Sequence, residues 1–135
     1  MLLAHDLKSH LYDEQITVIS RKDGTIIDSA IAAAQQEAKG YLSRYDINAL
    51  FSKTDDQRDP TLLMYLKDMA TWHFITLANA NADLEFRQAR YKDALAWLKG
   101  IQSSKIVPFG WPTSTVENHN TTWLVSSDTK RETNY

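Results

Sequence analysis

The stretch that follows Asp59-Pro60 constrains the fold more than any other part of the chain. Aspartate can cap a helix and proline suits the first helical position, so a long helix starts there. Projected at about 100° per residue, Leu62, Leu66, Met69, Ala70, His73 and Leu77 share one face, while Met64, Tyr65, Trp72 and Ile75 lie on others. A helix that is apolar nearly all round has to be covered on more than one side. In a chain of 135 residues, another subunit can supply part of that cover, and Trp72 is a candidate for such a contact.

Two more long helices flank it. Thr25 followed by Asp28 fits a helix start, and Ile27, Ile31, Ala34, Ala38, Tyr41, Leu42 and Tyr45 then fall on one face, which predicts a helix over about 26–45. Asp28, Gln36, Lys39 and Ser43 lie opposite. Asn81 or Asp83 can cap a third helix reaching about Gly100, with Leu84, Tyr91, Ala94, Leu95 and Leu98 on its inner face. Its other side carries Phe86, Arg90, Trp97 and Ile101, a ridge of the residue types enriched in binding hot spots. Two readings stand side by side: a partner contact, or a strip covered by the chain's own residues 106–112, with Val107, Phe109 and Trp111. Ahead of these helices, Leu7, Leu11, Ile16 and Ile19 suggest short helical turns, broken at Arg21-Lys22-Asp23-Gly24.

Past Gly100 the character changes. Pro108, Gly110 and Pro112 break any helix, and residues 113–135 are dominated by Ser, Thr and Asn. The pattern predicts an all-α fold: a small bundle of three long helices plus short N-terminal turns, spanning 1–107, with an extended arm over 108–135. Trp111, Trp123, Leu124, Val125 and Tyr135 are costly to leave in water, so the arm reads as one that orders against a partner. Thr121–Ser126 could form a short strand.

Composition narrows the function. A chain 43% hydrophobic and 24% charged is an ordinary globular one, and a net charge of -2 argues against coating nucleic acid by bulk electrostatics. Cysteine is absent, which removes disulfides and thiolate chemistry together. The start, Met1-Leu2-Leu3-Ala4-His5-Asp6, lacks the features of a signal peptide. The uncharged run Met69–Ala82 fits a buried helix better than a membrane span.

No catalytic pattern emerges. His5, His10, His73 and His119 include no pair spaced as metal ligands on one helix face, and His73 reads as a core histidine. The carboxylate pairs Asp13-Glu14 and Asp55-Asp56 read as solvated charge, and the isolated glycines form no phosphate-binding loop. Asp83 with Arg87 reads as a surface pair. Neither cofactor nor metal is expected, and an enzyme reading has no positive support.

Four segments in order, "DLKSHLYDEQI", "AKGYLSRYDINALF", "RDPTLLMYLKDMATWHF" and "RYKDALAWLKGIQSSKI" ahead of a Pro/Gly-rich exit, resemble the Mu-type head-tail connector proteins of phages and prophages. The resemblance covers about residues 1–112. It implies an all-helical subunit forming a ring, commonly twelvefold, between the portal protein and the tail or neck proteins, with DNA passing through the lumen without sequence-specific binding. It implies a place in the virion or the bacterial host cytoplasm, and no catalytic residues. The tail "WLVSSDTKRETNY" is similar to family members that end in a basic and aromatic segment, which adds Trp123, Leu124, Val125, Lys130 and Arg131 to the candidate contacts. Where a glycine is expected after the last helix, this chain has Ser103-Ser104. The alternatives are another phage neck or tail-completion protein, or a small helical binding or regulatory module of the host.

Overall fold

The computed structural model describes residues 1–11, 16, 24–78 and 84–114. Four α-helices run through them: α1 (Gly24–Tyr41), α2 (Ile47–Phe51), α3 (Pro60–Leu77) and α4 (Leu84–Gln102). A 3₁₀ helix, Ala4–Ser9, precedes them and a 3₁₀ turn, Asp55–Gln57, sits ahead of α3. Among the described residues there is no strand, so the all-helical expectation holds with its three long helices. None of the described helices is long and apolar enough to cross a membrane.

The greasy helix is the central one. α3 packs mainly on α1 along one side and on α4 along the other, and it also touches the N-terminal 3₁₀ helix. Leu62, Leu66, Met69, Ala70, Thr71, Phe74 and Ile75 are buried as a result. The chain itself therefore supplies most of the cover that its apolar pattern demands. Asp59 caps the helix as expected, its Oδ1 accepting from the Leu62 amide at 2.8 Å, with Pro60 in the first turn.

Three expectations shift. The helix foreseen over 26–45 includes Gly24, which the sequence marks as a breaker, and ends at Tyr41. Leu42 still reaches the core, but Asp46 starts a new helix by accepting from the Ala49 amide at 3.1 Å. A local cap thus overrode the continuing apolar pattern. Leu77 and Leu84, both assigned to inner faces, are exposed at the ends of α3 and α4.

The N-terminal turns are strapped down by ion pairs as well as by Leu2, Leu7 and Leu11 in the core. Arg58 donates to Asp6 Oδ2 at 2.7 Å and to the Met1 carbonyl at 2.9 Å, while the Leu3 amide also donates to Asp6 at 2.7 Å. Burial pushes the Asp6 pKa up, but the bonds from Arg58 and Leu3 and the charges of Arg58 and His5 outweigh it and hold the carboxyl below its ordinary value. A depressed folded pKa contributes stability that is present above the unfolded carboxylate value and lost as pH falls through the folded one. Acid titration followed by circular dichroism should therefore show a loss of stability starting below about pH 4 that is flattened in Asp6→Asn. An identical acid profile in that variant would contradict the assignment.

Candidate interaction surface

The exit from α4 determines which of the expected contact residues reach the surface. After Gln102 the chain turns through Ser104, whose φ of 65° is the left-handed conformation usually taken by glycine at a helix end. Arg44 donates to the Ser104 hydroxyl and helps hold it there. The turn sends Ile106 back over α4, where a Cβ on Gly100 would lie 2.6 Å from its Cδ1. Gly100 is thus the residue that lets the loop approach the helix.

From there residues 111–114 dock onto the helices. Trp111 is buried, and its indole Nε1 donates to Asp59 Oδ2 at 2.9 Å. The Asp46 amide donates to the Pro112 carbonyl at 2.8 Å, the Ser114 amide donates to the Arg44 carbonyl at 2.9 Å, and Tyr45 forms a bridge with Thr113. Packing therefore continues past the boundary foreseen at 107/108. The remainder of the foreseen arm, including the Thr121–Ser126 segment, lies outside the described residues, as do Trp123, Leu124, Val125, Lys130 and Arg131.

The ridge on α4 is mostly covered. Ile101 is buried in the core. At about 100° per residue it sits only about 20° round the helix from Ala94, so the core stripe includes it. Trp97 is half-buried, stacked on Tyr65 with centroids 4.7 Å apart and meeting the edge of Trp111 at 5.9 Å. Trp111 in turn meets Tyr45 at 5.2 Å, so one run of four rings links α3, α4, the exit and the segment after α1. Trp72 is half-buried, stacked on Tyr91 at 5.9 Å. Phe86 is exposed, with the Arg87 guanidinium over its ring. Of the three residues that could have covered the ridge, Trp111 does so, while Val107 and Phe109 face solvent.

Arg90 has an internal partner. Its Nε and Nη2 donate to the two oxygens of Asp68 at 3.2 and 3.1 Å, and His10 Nε2 lies 2.8 Å from Asp68 Oδ1. Arg87 donates to the His10 carbonyl, adding a second link from α4 to the N-terminal segment. Asp68 is buried, so these partners compensate a charge that burial would otherwise make very costly. His73, foreseen as a core histidine, lies half-buried with Nε2 2.9 Å from Glu37 Oε1. Tyr91 donates to the other Glu37 oxygen at 2.7 Å, and burial followed by that carboxylate pushes its phenol pKa well up. These polar groups bind α1, α3, α4 and the N-terminus to one another.

Apart from Phe86, what remains exposed and apolar lies off the foreseen ridge. Val107 and Phe109 project from the exit loop, Ile106 is partly exposed where it lies on Gly100, and Met64 is exposed on α3. Between them runs a groove of about 460 Å³ lined by Met64, Tyr65, Asp93, Ala96, Trp97 and Ile106. A second hollow of about 350 Å³, bordered by Asp59, Thr61, Pro108 and Phe109, shares Trp97 and Ile106 with it. Leu77, Leu84 and Phe86 form a separate exposed set at the far ends of α3 and α4. In the sequence, the Pro108-Phe109-Gly110 turn was the signal for the loop, because a phenylalanine between two chain-breakers has no helix face to retreat to.

Substitution separates the two ends of the ridge. Trp97→Ser should lower the melting temperature by several degrees, since it removes the ring held between Tyr65 and Trp111. Phe86→Ser should stay within about 0.5 kcal/mol of the parent. Equal melting temperatures for both variants, read by calorimetry, would show that the aromatic run does not support the fold.

A comparison with known families bears on this surface. No curated protein and no solved structure matches the chain. The sequence model described as "Bacteriophage Mu, Gp36" matches residues 3–123. That match takes in nearly the whole chain, the described helices and their docked exit included, and the protein therefore belongs to the bacteriophage Mu Gp36 family.

Proposed function

We propose that the protein is a structural subunit of a phage or prophage head-tail connector, acting in the virion as part of a ring between the portal protein and the tail or neck proteins. The observation that carries this reading is family membership in a phage group. The surface supports it. Among the described residues, exposed large apolar side chains other than Leu3 lie at two separate places, the exit loop with Met64 and the far ends of α3 and α4. A ring needs heterologous contacts, in which one face of a subunit meets a different face of the next, and this chain has two unlike apolar faces to offer. The buried and half-buried carboxylates Asp6, Asp68, Asp59 and Glu37 are engaged in bonds between elements, as a scaffold requires. The reading involves no catalysis and no cofactor, and DNA traverses the ring without base recognition.

An amber mutation of this gene in the phage or prophage that carries it tests the proposal. Induced lysates viewed by electron microscopy should contain DNA-filled heads and finished tails that are not joined, and supplying the protein in trans should restore joined particles. Normal yields of joined, infectious particles from the mutant would overturn it. Accumulation of empty, unpackaged heads would point to a different assembly step.

A further inference from the structure

The exit loop and the groove beside it carry matching apolar side chains and opposite charges. The loop is a knob: Phe109 is 101% exposed, held out by the turn at Gly110, where φ is 77°. Val107 and Lys105 are exposed on the same loop. The groove is a hole with an aromatic wall, Tyr65 and Trp97, an aliphatic rim, Met64 and Ile106, and a carboxylate, Asp93, exposed at its edge. The buried Asp68 and the half-exposed Arg90 also line it and pair with each other, so Asp93 leaves the groove with a net negative charge. A basic, aromatic knob and an acidic, aromatic-lined hole are thus present on one molecule.

They also lie next to each other, since Trp97 and Ile106 border both the groove and the hollow under Phe109. A patch that carries a knob and its hole side by side is self-complementary. Two copies facing each other across a two-fold axis fill both holes at once, whereas a head-to-tail ring needs knob and hole on different sides of the subunit. We propose that this face pairs with a second copy of the chain in an isologous dimer, Phe109 of each copy entering the groove of the other and Lys105 of each meeting Asp93 of the other. On the connector reading the pair is a state of the subunit away from the particle. Ring assembly must then open it or use other faces. The pairing itself stands whether or not that reading does.

Sedimentation of the full chain over a concentration series tests the proposal. The parent should show a monomer–dimer equilibrium, and Phe109→Asp should weaken it by at least about 10-fold, with an unchanged melting temperature at concentrations where the parent is monomeric, because Phe109 supports nothing inside the fold. The charge pair supplies a second, independent arm. Asp93→Lys alone sets Lys105 against a lysine, and Lys105→Asp alone sets Asp93 against an aspartate, so each variant should be monomeric. Mixed together, they restore opposite charges at both contacts and should form a heterodimer. A parent that is monomeric throughout, a dimer or larger oligomer indifferent to Phe109→Asp, or a mixture that stays monomeric would each overturn the inference.

Discussion

Replacing Leu66 by alanine lowers the stability of this protein by about 2–5 kcal/mol, the range for emptying a well-packed leucine site. The side chain is 0% exposed on the central helix, in the core that α3 forms with α1 and α4. Helices on both sides leave little freedom for the walls to collapse into the cavity, which argues for the upper half of that range. A single-domain protein is stable by only about 5–15 kcal/mol, so the melting temperature should fall on the order of 10 °C. Leu95 provides the internal control. It is only half-buried on α4, and its truncation should cost roughly 1 kcal/mol because less apolar area leaves water. Chemical denaturation of the two variants checks the contrast, and similar losses at both sites would mean that α3 is not enclosed on two sides.

Trp111→Ala should have the second large effect, about 3–5 kcal/mol. The residue lies beyond the last helix, where a separate arm would leave the helical domain indifferent to it. Instead the ring is buried between Trp97 and Tyr45, and its N–H is bonded to Asp59, the same carboxylate that caps α3. Removing it breaks the aromatic run between Trp97 and Tyr45 and takes away one of the two bonds that orient the cap. Trp111→Phe keeps a ring in place but loses the hydrogen bond and the volume of the second ring, so it should cost less than the alanine, about 1–3 kcal/mol. Calorimetry on the pair decides the matter: a change under about 0.5 kcal/mol for Trp111→Ala, the usual range for a surface site, would place residues 108–114 outside the folded unit.

The periodicity of the chain by itself determined the class of fold and most of its core. Leu62, Leu66, Met69 and Ala70, with Ile27, Ile31, Ala34 and Ala38, are buried where helical spacing puts them, because an apolar stripe can be satisfied only by turning inward. Asp59-Pro60 marked the start of α3 for an equally local reason, since a cap and its proline need only their own backbone. The outward ridge on α4 was not decidable in this way. A helical projection ranks positions around one axis, but the width of the buried stripe depends on how many neighbours the helix meets. Ile101 and Trp97 were drawn in by the core, by Tyr65 and by Trp111 arriving from ten or more residues later. The partner of Asp68 was equally hidden, because His10 lies 58 residues away and Arg90 lies 22, and no spacing rule connects them. The exposed surface is what remains after those long-range choices. Phe109 and Val107 stay in water because the left-handed turn at Ser104 folds Ile106 onto Gly100 and carries Trp111 into the core, leaving the side chains on the loop between them nowhere to pack.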